Sequence, residues 1–283
     1  MIFLLIAVLI FSQIIFSQNK ERPFSLENNS IKSKLFLQKG DSLNKVIYFY
    51  KIPYSTIIFE KNVSGFKSKF DIELEIKDSN QEVIFRKFDS HTIELNNFEL
   101  TRSVKDFFTG FIEFFLPKDS FHINISFNDL TINKRFYYDS KKINLLDDKV
   151  DTNSWLLVNS NYKRNNYQFV VDIFGDAIPH SSINYDLLLS SNNQIYDLQK
   201  ITINDKDSLI SELSFEIIKS ANLNFSSEKS QIKLDIKNQI HKQSEDKIPK
   251  IEKDYLIIKN INQKLYEGDY SIKLLDSKDK LLN

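Results

Sequence analysis

The stretch Phe70-Asp-Ile-Glu-Leu-Glu-Ile-Lys77 decides the fold class of this chain. Its apolar residues alternate with charged residues over all eight positions. A period of two places successive side chains on opposite faces of a β-strand. The stretch therefore predicts a half-buried strand with one face on a core. We expect the other face, with Glu73 and Glu75, to be solvated.

The same alternation recurs on the carboxy-terminal side of this strand. Further apolar positions with this period are Phe121, Ile123, Ile125, Phe127, Leu213, Phe215, Ile217, Ile232, Leu234 and Ile236. Polar turns separate the runs, as at Asp78-Ser-Asn-Gln81, and no helical period extends beyond two turns. These patterns predict an all-β protein with antiparallel strands.

A polar break after residue 146 divides the alternating runs into two units, residues 45–146 and 151–283. Leu116–Ile123 and Leu265–Ile272 share the pattern Leu-x-x-(Asp/Gly)-x-aromatic-x-Ile. Its spacing resembles the corner of an immunoglobulin-like sandwich. We therefore predict two tandem immunoglobulin-like antiparallel β-sandwiches; the alternative is a chance similarity between strands. Residues 18–44 are interpreted as a linker with at most one short strand, around Lys34–Leu37.

The end of the second unit predicts an incomplete sheet. Residues 270–274 form a strand-like run, and Lys280–Asn283 begin another after a turn. A sandwich whose final strand stops so early exposes the backbone of its neighbour. We therefore expect that the second sandwich lacks its last strand.

The amino terminus has the pattern of a secretory signal. Ile2–Phe11 are ten consecutive apolar residues, and the small residue Ser17 follows a second short apolar run. A membrane-spanning helix needs about 20 such residues, so we predict a signal peptide over residues 1–17, cleaved before Gln18. No later run has transmembrane length. We expect the mature chain, without a transmembrane span, in the periplasm, on the outer surface or outside the cell.

Composition excludes several classes of function. Lys plus Arg and Asp plus Glu both number 38, so the basic surface that a nucleic-acid-binding protein needs is missing. The absence of cysteine excludes disulfides, cysteine-ligated zinc and iron–sulfur clusters, and in an exported chain it favours a bacterial envelope. With five glycines the chain has no phosphate-binding loop. We expect no cofactor.

Catalytic and metal-binding patterns are weak. The four histidines are never within five residues of one another, so they form no local metal-ligand pair. Ser181 and Ser182 lack the glycines of a nucleophile elbow. Asp147, Asp148 and Asp151 could bind calcium, but a polar linker is the preferred interpretation. The sequence predicts no catalytic, cofactor-binding or metal-binding residues, and the chain is not expected to be an enzyme.

Aromatic residues are the remaining signal, with 24 Phe and 12 Tyr. They fill a core, or they form an exposed strip that anchors a protein partner or stacks on sugar rings. The candidate interaction surface comprises Tyr48, Tyr50, Tyr54 and Trp155. The expected partner is another envelope or surface protein, and the alternative function is a carbohydrate-binding module.

One region resembles a known family. Ile47-Tyr-Phe-Tyr-Lys-Ile-Pro-Tyr-Ser-Thr-Ile-Ile-Phe59 leads into the Phe66-x-x-x-Phe-Asp-Ile-x-Leu-x-Ile76 strand and the Asp78-Ser-Asn-Gln-Glu-Val83 turn. This order is similar to the amino-terminal portion of GWxTD domain-containing proteins, which are exported proteins of Bacteroidetes-type bacteria. The chain lacks the Gly-Trp-x-Thr-Asp motif, and its one tryptophan lies in Ser154-Trp-Leu156. The resemblance implies an exported protein that ends before that motif or a shorter relative, and it carries over no activity or functional residue.

Overall fold

The structure is a computed structural model, and it describes residues 31–38, 40, 42–146, 155–163, 166–173, 186–190, 200–205, 208–212, 214–220, 223–228, 231–237, 253–259, 270–275 and 277–278. Several sequence predictions lie outside these residues. They are the signal peptide 1–17, the calcium candidates Asp147, Asp148 and Asp151, the pair Ser181 and Ser182, the corner before Tyr270, and the last strand at Lys280–Asn283.

The described residues are almost entirely β-strand. The strands of the first part are β1 Lys32–Gln38, β2 Leu43–Pro53, β3 Glu60–Asn62, β4 Gly65–Lys77, β5 Val83–Leu95, β6 Phe107–Pro117, β7 Ser120–Asp129 and β8 Lys134–Asn144. Those of the second part are β9 Trp155–Lys163, β10 Asn166–Asp172, β11 Asp186–Ser190, β12 Lys200–Asp205, β13 Ser208–Glu212, β14 Ser214–Ser220, β15 Leu223–Glu228, β16 Gln231–Lys237, β17 Lys253–Lys259 and β18 Tyr270–Leu275. The described residues also contain a 3₁₀ turn at Tyr54–Thr56 and a short helix, α1, at Phe98–Thr101.

All pairings among these strands are antiparallel, which confirms the all-β prediction. Strands β1-β2-β6 form a three-stranded sheet, here called the central sheet. Strands β3-β4-β7-β8, with β5 on β4, form the outer sheet. The seven-stranded sheet has the order β14-β17-β11-β9-β10-β16-β15, and β13-β12-β18 form a small fourth sheet.

Strand β2 is buried on both of its faces. Its residues Val46–Tyr50 are all buried in succession. Tyr48 and Tyr50 belong to one hydrophobic cluster, whereas Ile47 and Phe49 belong to a second. A strand covered on both faces is apolar at every position rather than at alternate ones. The central sheet therefore lies between two cores and contributes side chains to both.

The first core lies between the central sheet and the outer sheet. It contains the apolar positions that the alternation predicted, namely Phe70, Ile72, Leu74, Phe121, Ile123 and Ile125. The prediction for these six is confirmed. The expectation that their polar neighbours are solvated is wrong for Glu73, whose exposed fraction is 4%. Long side chains from adjacent strands cover this carboxylate.

The second core joins the central sheet to the seven-stranded sheet. Phe36 and Phe49 pack there with Phe225, at ring-centroid distances of 6.4 and 5.2 Å. The same cluster contains Leu156, Val158, Phe169, Leu188, Ile232, Leu234 and Ile236. Side chains from both parts of the chain thus fill one hydrophobic core.

Strand β1 occupies the carboxy-terminal part of the segment interpreted as a linker. It spans Lys32–Gln38, so it is longer than the short strand expected around residues 34–37. It pairs with β2 along its whole length. Lys34 is only 3% exposed although its type suggested a solvated position. The prediction of a strand here is confirmed, but the charged residues of the segment gave no indication of its length and burial.

Candidate functional site

The structure separates the four residues of the predicted interaction surface. Tyr48 and Tyr50 are 0% and 1% exposed, so their rings are core residues and are not available for stacking on a partner. Tyr54 is half-buried, in the 3₁₀ turn that follows β2. Trp155 begins β9, where its backbone is paired with Leu189 of β11.

The hydroxyl of Tyr50 belongs to a compact polar cluster at the edge of the first core. It donates a hydrogen bond to Asp89 Oδ2 at 2.8 Å and lies 2.7 Å from His91 Nε2. The same His91 nitrogen is 3.1 Å from Asp89 Oδ2. Both partners come from β5, at positions that face the central sheet. A proton on Nε2 completes this set of contacts.

The electrostatics of this cluster favour a structural role. Burial, reinforced by the neighbouring Asp89 carboxylate, raises the pKa of Tyr50 well above its usual value. Burial alone would also raise the pKa of Asp89, but hydrogen bonds from His91 and Tyr50 outweigh it and lower that pKa. Tyr50 therefore stays protonated as a donor and Asp89 stays ionised as an acceptor. A hydroxyl held in this way is poorly suited to act as a base at neutral pH.

Gly110 provides the space that the Tyr50 ring occupies. The two residues are paired across β2 and β6, and a Cβ atom at position 110 would collide with the Tyr50 hydroxyl and ring. The ring of Phe108 completes the surroundings, 4.5 Å from His91 between centroids. An aromatic ring that covers a glycine on the next strand is a known device for fixing register. Gly110, a glycine among the aromatic residues of β6, is the residue from which the sequence could have indicated this arrangement.

Tyr48 reaches a second carboxylate on the opposite edge of the outer sheet. Its hydroxyl lies 3.5 Å from Asp139 Oδ2 on β8, and Ser33 Oγ donates to the same oxygen at 3.1 Å. Lys141 Nζ is 3.7 Å from this oxygen. The two tyrosines thus bury their rings between the sheets and place their hydroxyls beside carboxylates of two different strands. This is how a buried tyrosine satisfies its polar end.

Glu73 is the centre of a charged cluster on the far face of the outer sheet. Its carboxylate is 2.6 Å from Arg135 Nη2 and 3.3 Å from Arg86 Nε. Ser126 Oγ donates to it at 3.2 Å. Buried carboxylates are stable when they are paired and hydrogen-bonded in this way. Sequence reasoning missed the cluster because β5, β7 and β8 each contribute to it.

A cleft of about 410 Å³ opens between the central sheet and the seven-stranded sheet. Lys51, Tyr54, Phe107 and Thr109 line one side, and Asp172 of β10 lies on the other. Lys51 Nζ is 3.6 Å from Asp172 Oδ1 and lies over the Phe107 ring, 4.5 Å from its centroid. Of the predicted surface residues Tyr48, Tyr50 and Tyr54, Tyr54 is the one that lines this cleft.

Strand β5 forms an open edge of the outer sheet. It is 13 residues long, and among the strands that the structure describes it pairs only with β4. Val83, Ile84 and Phe88 on this strand are 47%, 48% and 53% exposed. A long edge strand with exposed apolar side chains offers unpaired backbone groups to another chain.

Neither a protein-family model nor a curated protein matches this chain. Within the described residues, His, Asp and Glu do not gather in groups of three or more that could hold a metal ion. The helices of this same part are all too short or too polar to cross a membrane.

Proposed function

We propose that this chain is an exported, non-catalytic protein of the bacterial envelope that binds another envelope or surface protein. The open edge strand β5 carries the proposal, because its backbone can add a strand from a partner. The apolar signal-like residues Ile2–Phe11 and the resemblance to the amino-terminal portion of GWxTD domain-containing proteins support export.

The finer fold prediction is part of this proposal. The sequence predicts one tandem immunoglobulin-like sandwich in each unit, 45–146 and 151–283; two such sandwiches, one on each face of the central sheet, would account for the two hydrophobic clusters. In this arrangement β1, β2 and β6 serve both sandwiches. Such sheet pairs are common scaffolds for protein recognition, although a fold alone does not determine a function.

The polar groups of the first unit support a role in recognition rather than catalysis. Tyr50, Asp89 and His91 satisfy one another, and Glu73 is held by two arginines. These groups stabilise the sheets that present β5. Ile84 and Phe88 then provide exposed apolar contacts beside the open backbone of the edge strand.

Export is tested by the amino terminus of the protein in cells that produce it. We expect mass spectrometry of the envelope fraction to find a chain that begins near Gln18, because Ile2–Phe11 has the length of a signal core rather than of a membrane span. An intact chain that begins at Met1 in the cytoplasm would contradict this prediction.

Partner binding is tested by a photoreactive phenylalanine analogue placed at position 88 in the same cells. We expect a discrete crosslinked adduct, which disappears when Ile84 is replaced by Asp, because a charge beside the edge strand prevents an apolar partner from docking. Position 63 is the matched control, since Val63 is fully exposed in the turn between β3 and β4.

The variants at position 63 are the controls for both the crosslink and the substitution. The analogue at position 63 should give no adduct of the same mass, and Val63→Asp should leave the position 88 adduct unchanged. Equal adducts from both positions, or an adduct that survives Ile84→Asp, would show that β5 is not the binding surface.

A further inference from the structure

The cleft between the central sheet and the seven-stranded sheet has the size of a small-molecule site, with a largely polar lining. Its volume of about 410 Å³ lies within the range of about 300–1,000 Å³ typical of such sites. It is also built by both parts of the chain, because β2 and β6 form one wall and β10 and β16 form the other. Sites between packed layers of this kind are a common location for ligands.

The charges balance among the residues of the cleft lining that the structure describes. Lys51 and Lys105 are the cations of this set, and Asp106 and Asp172 are its carboxylates. Lys51 and Asp172 already form an ion pair at 3.6 Å, about one fifth exposed on each side. A strongly charged ligand would gain from one sign and be repelled by the other. This lining therefore favours a neutral ligand with many hydrogen-bonding groups.

One buried polar group beside the cleft needs a partner. Thr109 lines the cleft and is 7% exposed, and its Oγ1 is buried without a hydrogen-bond partner among the described residues. Its backbone is well held, since its carbonyl accepts a hydrogen bond from Ser227 Oγ at 3.3 Å. An unpaired buried hydroxyl is costly, and a turn of the Thr109 side chain about its Cα–Cβ bond would bring this hydroxyl to a ligand hydroxyl in the cleft.

Aromatic and apolar surfaces complete the lining. Tyr54 and Phe107 are half-buried on one side, and Ile173 and Ile232 lie on the other. Tyr54 is held in place by an edge-on contact with Phe59 at 6.1 Å. Aromatic rings present a flat apolar face on which the C–H face of a sugar ring can pack, while its hydroxyls meet the charged groups around it.

We propose that this cleft binds a neutral saccharide of one or two rings. The sugar packs against Tyr54, since the Lys51 ammonium covers a face of the Phe107 ring, and its hydroxyls bond to Thr109 and to the Lys51–Asp172 pair. This activity goes beyond the proposed protein binding, and it uses a surface distinct from β5. The two proposals can therefore fail separately.

Saturation-transfer NMR on the chain tests the proposal directly. The neutral probes are glucose, galactose, N-acetylglucosamine, maltose and cellobiose, and glucuronate is the charged comparison. We expect at least one neutral probe to bind at millimolar concentration or below and more tightly than glucuronate. When the aromatic protons of the protein are irradiated, the saturation should be transferred to the C–H protons of the bound sugar.

Two substitutions connect binding to the cleft. Thr109→Val keeps the shape of the side chain and removes the unpaired hydroxyl, so it should weaken sugar binding by about threefold to tenfold while it maintains or raises the free energy of unfolding. Tyr54→Ala should weaken binding by about fivefold to tenfold through loss of the ring contact. If Thr109 had only a structural role, Thr109→Val would not weaken sugar binding while it maintains or raises the free energy of unfolding.

The matched control is Phe88→Ala, which removes an exposed ring from β5, a strand that contributes no residue to the cleft lining. It should leave sugar binding unchanged. The proposal is overturned if none of the neutral probes binds, if glucuronate binds best, or if Thr109→Val and Phe88→Ala have equal effects on the affinity.

Discussion

Phe49→Ala is expected to lower the free energy of unfolding by about 3–5 kcal/mol. The Phe49 side chain is fully buried, at 0% exposure, in the core between the central sheet and the seven-stranded sheet. Its ring lies 6.2 Å from Phe111 and 5.2 Å from Phe225 between centroids. Truncation removes these contacts and leaves a cavity that strands on both sides would have to close.

The effect should appear in both parts of the chain at once. Strand β2 also carries Tyr48 and Tyr50 on its other face, so a weakened second core loosens a strand of the first. Urea unfolding followed by circular dichroism and by the fluorescence of Trp155 should give coincident transitions, both shifted. Circular dichroism reports strands of both parts, whereas Trp155 reports the second.

The matched control is Phe115→Ala on β6, because Phe115 is 58% exposed. A substitution at such a position is expected to change stability by no more than about 0.5 kcal/mol. If Phe49→Ala cost as little as Phe115→Ala, the central sheet would not be buried on both faces in solution.

Gly110→Ala is expected to cost about 1–3 kcal/mol through overpacking. The added Cβ would collide with the Tyr50 ring, which has no space to retreat because the residue is 1% exposed. The displaced ring would also lose its hydrogen bond to Asp89 and its contact with His91. Chemical denaturation measures the cost, and the NMR signals of the His91 ring report the loss of the contact.

A double-mutant cycle separates this mechanism from a general effect of alanine in β6. In a Tyr50→Leu background the smaller side chain leaves room for the new Cβ, so Gly110→Ala should cost clearly less than it does in the native chain. Equal costs in both backgrounds would mean that the ring and the glycine are not coupled.

The buried face of the outer sheet was predictable from sequence, whereas the burial of both faces of the central sheet was not. Strand β4 alternates because one of its faces meets a core and the other carries charges. Strand β2 is apolar on both faces, so its sequence has no period from which to assign either face. Strand β1 was expected only as a short strand around residues 34–37, and the charge of Lys34 gave no indication that this residue is buried.

The candidate site was harder still to predict. Periodicity indicates which residues share a face, but it does not indicate whether another sheet covers that face. The outer sheet covers the face that carries Tyr48 and Tyr50, and for this reason both residues are buried. The cleft depends on side chains from β2, β6, β10 and β16, which are distant in sequence. The candidate Tyr54 lines it, because the 3₁₀ turn places this residue at the end of β2 beyond the core.

The shared central sheet also limits how this protein can evolve. In a chain of separate domains, one domain can be lost, duplicated or exchanged without exposing the core of the other. Here the removal of the second part would leave Phe36, Ile47 and Phe49 facing water as one apolar surface on the remaining part. We therefore expect the two parts to be inherited together, and a change in volume at Phe49 to favour a compensating change at Phe225, because the two rings are in contact.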